Sequence, residues 1–207
     1  MAEQKITALT AFAPPAVTDV LPIVDLATSQ TKKVTIAEII KKAIVFASNA
    51  SNQALSSGDT YLTGSAITVG SRLQVGTTLK WRVIATKTAA GVAAPVFNMR
   101  FGTAGTTADT SRVTLTGVAQ TAAADTGVWE ITAVVEAVGA SGKVFGFGWL
   151  THALATTGFG TSDGAMQSES AAFDMTNASL KAGLSLDVGA SGAWTVKLIT
   201  TELINAA

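Results

Sequence analysis

The residue types that most enzymes use for catalysis are scarce in this sequence of 207 residues. It contains no cysteine and a single histidine, His152. The lack of cysteine excludes disulfides, zinc ribbons, thiol catalysis and iron–sulfur clusters. A metal site at His152 would need carboxylates such as Asp163 or Asp174, whose spacing from it fits no usual ligand pattern. We therefore interpret His152 as a histidine at a strand end that makes one hydrogen bond.

Paired carboxylates that could cleave a glycan are not indicated either. Glu130 and Glu136 fall on one face of a predicted strand, but six residues of strand span about 20 Å. Glycosidases need their two carboxyl groups within about 5–10 Å of each other. The sequence therefore predicts a protein that is not an enzyme and that has no catalytic, metal or cofactor-binding residues.

The composition restricts the class of partner. Hydrophobic residues make up 48% of the chain and charged residues only 14%, with 14 basic and 14 acidic side chains. Ordinary soluble domains have roughly 25% charged residues, so a surface this poor in charge favours contact with other protein. A balanced charge argues against nucleic-acid binding. No apolar run reaches the roughly 18 residues of a membrane span, so no membrane partner is expected. The N-terminus is also a poor secretory signal, so we expect no export by that route.

Most of the chain reads as β-strands separated by loops rich in Gly, Ala, Ser and Thr. Over residues 60–207 we predict a jelly-roll-like antiparallel β-sandwich, on period-two alternation in eight segments. All four tryptophans fall at positions that we assign to the inward face. The predicted strands are TTLKWRVIAT, VFNMRF, RVTLTG, GVWEITAVVEAV, KVFGFGWLTH, the weaker GAMQSESAAF, ASLKAGLSLDV and AWTVKLITTELI, the last with Trp194, Val196 and Leu198 on one face.

Two glycines lie between large aromatic residues in the fifth of these strands. Gly146 and Gly148 alternate with Phe145, Phe147 and Trp149. Glycine inside a strand usually marks a bulge or the close approach of another backbone. We keep two interpretations open, a tight fit of the opposite sheet and a contact with a sister subunit near a symmetry axis.

The first 47 residues differ from this pattern. Residues 1–17 read as an extended arm, since Pro14 and Pro15 bar a helix there. Residues 18–47 read as a β-β-α anchor unit, and residues 48–59 as a linker. In the unit, TDVLPIVD and KKV predict two short strands, and the T-x-x-E capping box formed by Thr35 and Glu38 predicts a helix ending near 46–47. The apolar positions that we expect to contact a partner are Pro14, Pro15, Val20, Ile23, Ile36, Ile39, Ile40 and Ile44.

These front segments resemble a known group of proteins. KITAL at 5–9, TDVLPIVD at 18–25 and TKKVTIAEII at 31–40 are similar to the N-terminal segment of many tailed-bacteriophage virion proteins. That group includes head-decoration, head-fibre and tail-fibre components, and Thr10 stands here where many relatives have Pro. The resemblance implies a virion structural protein whose front end attaches it to the particle. It also implies a homotrimer, whereas composition alone indicates only that the chain is not a monomer.

The resulting expectation is a capsid decoration or cement protein on the exterior of the virion, assembled in the host cytoplasm. Its partner would be the major capsid protein or another virion protein. The alternative is a tail-fibre or receptor-binding module that recognises a host surface glycan. Tyr61, Phe159 or a tryptophan in a loop would be the residues to bind such a glycan, and the inward assignment of the tryptophans lowers the weight of this alternative.

Overall fold

The computed structural model describes residues 20–25, 30–35, 45–152, 158–159, 166–189, 192–204 and 206 of the chain. The chain divides into two compact units, Met1–Ala43 and Ile44–Ala207. Within the described residues there is no α-helix, and none long and apolar enough to cross a membrane. These residues form fourteen strands, numbered in chain order: β1 Val20–Asp25, β2 Gln30–Thr35, β3 Val45–Asn49, β4 Gln53–Ala54, β5 Asp59–Tyr61, β6 Ile67–Thr68, β7 Thr78–Lys87, β8 Val96–Gly102, β9 Thr110–Thr116, β10 Asp125–Ala137, β11 Lys143–His152, β12 Met166–Glu169, β13 Lys181–Asp187 and β14 Trp194–Ile204.

The first unit contains an antiparallel hairpin of β1 and β2. Its register runs from Val20 opposite Thr35 to Asp25 opposite Gln30. Each strand of a two-stranded sheet has an open edge, so the missing N–H of Pro22 in β1 is tolerated. The predicted arm over 1–17 and the predicted helix over 36–44 lie outside the described residues.

The end of the predicted helix and the predicted linker both differ from the structure. Residues 45–49 form β3, which pairs with Ile199 to Leu203 of β14, and β4 pairs with the same strand at Thr195 and Val196. The sandwich therefore begins at β3 and not at residue 60. Val45 and Phe46 have high strand propensity, and the backbone groups along β14 need partners, so residues 45–49 pair as a strand and do not end a helix.

The second unit consists of two antiparallel sheets. The larger has the order β12-β11-β10-β7-β14-β3, with β4 also on β14. The smaller has the order β5-β13-β8-β9, with β6 also on β13. The eight strands predicted from the alternating segments correspond to β7 to β14, so the mostly β, antiparallel character of the chain is confirmed.

Large aromatic side chains fill one end of the core between the sheets. Trp129 packs against Phe97 and Trp194 at ring-centroid distances of 5.1 and 6.4 Å. Phe159 packs edge-on against Trp194 at 5.0 Å and Trp129 at 5.9 Å. Such tilted and edge-to-face contacts contribute roughly 0.5–1.5 kcal/mol per pair beyond the burial of area. This cluster joins strands of both sheets and so fixes how they pack.

A β-bulge in β14 changes which side chains point inward. The register with β7 shifts between Val196 and Leu198. Trp194 and Val196 are buried as predicted, but beyond the bulge the buried residues are Ile199, Thr201 and Leu203. Leu198, which the alternation predicts to face inward, lies on the other face because the bulge adds one residue to the strand.

Lys87, at the end of β7, is a buried cation held by main-chain oxygens. It is 3% exposed. Its Nζ donates hydrogen bonds to the carbonyls of Thr88, Thr121 and Ala123 at 3.3, 2.8 and 2.6 Å. Burial lowers the pKa of Lys87, and the nearby carboxylate of Asp125 partly offsets that. The side chain thus ties the segment before β10 to the end of β7.

Replacing Lys87 by Met should lower the free energy of unfolding by about 2–4 kcal/mol, because three carbonyls lose a charged donor. Urea denaturation measures the change. Lys80→Met, at an exposed position of the same strand, is the control and should change it by less than about 0.5 kcal/mol. Equal stability of both variants would show that these hydrogen bonds contribute nothing.

Candidate functional site

Three aromatic rings lie along the outer face of β11 and form what we call the aromatic ladder: Phe145, Phe147 and Trp149. Adjacent ring centroids are 6.3 and 5.9 Å apart, and the rings of Phe147 and Trp149 are stacked at 19°. Trp149 is 39% exposed, whereas the two phenylalanines are half-buried. Trp149 therefore corrects the expectation that all four tryptophans face inward; Trp81, Trp129 and Trp194 do.

The glycines between these rings set the direction of the ladder. A methyl group at Gly146 would lie 2.6 Å from Cγ1 of Val113 and 2.9 Å from Cε of Met99, both on the smaller sheet. At Gly148 it would lie 2.6 Å from Cδ1 of Ile131. No larger side chain fits at these two positions of the inner face, so the aromatic residues that alternate with the glycines point outward.

This geometry bears on the two interpretations of Gly146 and Gly148. Both glycines are buried, and the space in front of them is filled by side chains of the same chain. A tight fit of the opposite sheet describes the position of Gly146, whereas Gly148 is enclosed by Ile131 and Met166 on the neighbouring strands of its own sheet. Contact of these glycines with a sister subunit stays a prediction. The outer surface of β11 carries the aromatic ladder and not the glycines.

Strand register continues the ladder into rows of polar side chains across β10, β7 and β14. Trp149 lies opposite Glu130, which lies opposite Arg82. Phe147 lies opposite Thr132, which lies opposite Lys80. The rows end in β14 at Thr200 and Glu202, respectively. Each row therefore runs from an aromatic ring to a series of hydrogen-bonding groups.

A shallow groove of about 460 Å³ follows these rows over the larger sheet. Trp149 borders it on one side, and Ile84 and Leu198 supply apolar surface on the other; the bulge of β14 is what brings Leu198 there. Nε of Arg82 lies 3.5 Å from Oε1 of Glu130, and these side chains are 61% and 40% exposed. An ion pair this exposed adds little stability, so its groups remain open to a ligand. The charges that line the groove are balanced: Lys80, Arg82, Glu130 and Glu202.

His152 ends β11, as predicted, and its side chain is buried beside a carboxylate. Its Nδ1 lies 3.4 Å from Oδ2 of Asp125. The same carboxylate accepts hydrogen bonds from the backbone N–H groups of Thr126 and Phe159 at 2.7 and 2.9 Å. These contacts hold the ends of β10 and β11 together.

The carboxylates weighed as metal ligands are not gathered around His152 in the part of the chain that the structure describes. Asp174 accepts hydrogen bonds from the backbone N–H and the hydroxyl of Thr176, which lower its pKa, so it belongs to a turn. Asp163 lies outside the described residues. Among those described, no three His, Cys, Asp or Glu residues are grouped as a metal site would require.

One sequence pattern was missed by the reasoning from sequence. Residues 160–164 read GTSDG and match G-x-S-x-G, the pattern of the nucleophile elbow of α/β-hydrolases. They lie outside the described residues. In that elbow the serine stands between a strand and a helix, whereas the segment that follows here is the strand β12, from Met166. Since a strand and not a helix follows at Met166, the match to G-x-S-x-G does not indicate a nucleophile elbow.

The residues proposed for glycan contact are placed differently from the expectation. Phe159 is fully buried in the aromatic core, and Tyr61 is half-buried in β5 of the smaller sheet. The exposed ring is Trp149, in a strand and not in a loop. The sequence signal that could have predicted the exposure of Trp149 is the alternation of large rings with Gly146 and Gly148 along β11. Glycines on one face of a strand allow the opposite sheet to approach closely, so the face with the rings is left outside.

All of the residues proposed for attachment except Ile44 lie in the first unit, and Ile44 is the first residue of the second. Val20 and Ile23 are in β1. The others, Pro14, Pro15, Ile36, Ile39, Ile40 and Ile44, lie outside the described residues. Comparison of the chain with protein-family models, with curated proteins and with solved structures found no match.

Replacing His152 by Ala should change only stability, by about 1–3 kcal/mol, because the carboxylate of Asp125 keeps its two backbone donors. Hydrolysis of a p-nitrophenyl ester should not exceed the buffer rate for either protein. Ser162→Ala serves as the matched control. Ester cleavage by the parent protein that both substitutions abolish would reveal a catalytic site and contradict a non-enzymatic role.

Proposed function

We propose that this chain is a non-enzymatic structural protein of a tailed-bacteriophage virion, a capsid decoration or cement protein attached through its N-terminal segment. The observation that carries the proposal is the division of the chain between Ala43 and Ile44. The segments that resemble phage attachment sequences, at 5–40, fall entirely within the first unit. The protein would lie on the exterior of the particle, after assembly in the host cytoplasm.

The sizes of the two units support separate roles. A unit of this length is too small to bury a sufficient core of its own, so a partner surface is needed to stabilise it. The second unit has a core that is lined by both of its sheets. Attachment by the first unit to the major capsid protein, or to another virion protein, would leave the second unit displayed.

The strand orders support the further proposal that the second unit is a jelly roll. Counting β3 with β4 and β5 with β6, the first two of eight strands are followed by β7, β8, β9, β10, β13 and β14. The larger sheet then has the order first, eighth, third, sixth, and the smaller has second, seventh, fourth, fifth. Two Greek keys wound together produce such alternation between two sheets. β11 and β12 would extend the larger sheet beyond this pattern.

Tail-fibre or receptor-binding function remains the alternative proposal, since the same fold and front unit would serve it. The observation that favours it is the exposed aromatic ladder, because glycan-binding surfaces combine exposed rings with polar side chains. Attachment to the head and to the tail would use the same first unit.

A homotrimer is the assembly that the phage resemblance implies. The low proportion of charged residues, 14%, and the balanced charge are compatible with tight subunit contact. Sedimentation equilibrium at micromolar concentration should therefore give three times the mass of the 21.0 kDa chain. A monomer under these conditions would contradict the trimer.

Deleting residues 1–43 should separate attachment from folding. The second unit should keep its urea midpoint, because its sheets begin at Val45. Binding to virions that lack the protein, measured by co-sedimentation, should fall at least about tenfold. In a trimer the deletion removes three linked attachment segments at once, so the avidity is lost together with the affinity of each segment.

The matched control deletes residues 1–49 and also removes β3 from the edge of β14. It should lower the urea midpoint, which shows that the boundary is correctly placed. Normal decoration of particles by the shorter deletion would place the attachment surface on the sandwich and overturn the proposal.

A further inference from the structure

We propose that the groove over the larger sheet binds a neutral polysaccharide chain, with Trp149, the ring of the aromatic ladder that borders it, as its stacking surface. The inference concerns the second unit alone. It therefore does not depend on whether the first unit attaches the protein to a head or to a tail.

The ladder provides the surface that a sugar ring needs. A pyranose ring has faces of C–H groups and a rim of hydroxyls, and the C–H groups pack against the faces of aromatic rings. Trp149 has the exposed ring, and Phe147 stacks beside it at 5.9 Å. The groove runs from Trp149 across β10 and β7 to β14, so a ligand that stacks on this ring can extend over the polar rows.

The polar rows provide the hydrogen bonds. Glu130 lies directly opposite Trp149 in the register, and Arg82 lies next along the same row. A carboxylate accepts from, and a guanidinium donates to, the hydroxyls at the rim of a sugar whose face lies on the ring. The volume of about 460 Å³ falls within the roughly 300–1,000 Å³ of ligand sites, which accommodates a short segment of a chain.

The charges of the groove favour this class over other polymers. Single-stranded nucleic acid also stacks on aromatic rings, but its binding grooves are strongly positive. Here two cations, Lys80 and Arg82, are matched by two anions, Glu130 and Glu202. An apolar protein surface placed over these charges would remove their water without replacing it, at a cost in binding free energy. A polymer of hydroxyl groups replaces that water.

Trp149 provides the test, because it is the exposed tryptophan while the other three are buried. The full-length protein is titrated with cellohexaose, maltohexaose, xylohexaose, chitohexaose and a set of purified bacterial surface polysaccharides, and intrinsic fluorescence is followed. We expect at least one of these glycans to shift the emission to shorter wavelength, with a Kd of about 1 mM or tighter.

Two variants assign the binding to the ladder. Trp149→Ala should weaken the affinity for that glycan roughly tenfold or more, read by isothermal calorimetry, and Trp149→Phe should restore part of it. Val138→Ala, which removes a similarly exposed apolar side chain after β10, should bind as the parent protein does. Unchanged urea midpoints confirm that each variant is folded.

Three outcomes would overturn the proposal. No binding to any of these glycans is the first. Binding that Trp149→Ala leaves intact is the second, because the site would then lie elsewhere. The third is a change of Trp149→Ala from oligomer to monomer in sedimentation, which would make the ladder a subunit interface. Failure of particle attachment on deletion of residues 1–43 is a separate result and bears only on the function of the first unit.

Discussion

The close approach of the two sheets at β11 is the constraint on which both the core and the outer surface depend. Gly146 leaves room for Met99 and Val113 of the smaller sheet, where even a methyl group would be too close. Because side chains alternate along a strand, clearing the inner face in this way forces the large rings to the outer face. One local choice, glycine at alternate positions, thus determines how the sandwich closes and what it displays.

The bulge in β14 has the same double effect. It turns Ile199 and Leu203 into the core, and it moves Leu198 to the groove. Bulges are common where a sheet must redirect side chains near a functional surface. The floor of the groove is formed by β7 and β10, while Trp149 of β11 and, through the bulge, Leu198 of β14 lie at its sides. The aromatic ring and the charged pair face outward without taking part in the packing of the core.

The sequence allowed the strands to be predicted but not their pairing or all of their faces. Period-two alternation in segments such as TTLKWRVIAT correctly identified β7 and its buried Trp81, because a strand with one buried face alternates apolar and polar residues. Residues 45–47 were predicted as the end of a helix, since pairing with β14, about 150 residues away, leaves no local signal. Leu198 was assigned to the wrong face because a bulge is invisible to a strict alternation. Trp149 is predicted to face inward by its phase in β11, but the packed face of that strand carries the glycines.

Electron cryomicroscopy of the intact particle tests the central claim most directly, namely that the chain attaches by its first unit and displays the outer face of its larger sheet. We expect density for residues 1–43 against another virion protein, on the head, with Trp149 turned to solvent. Contact of the particle with the aromatic ladder, while residues 1–43 make none, would contradict it.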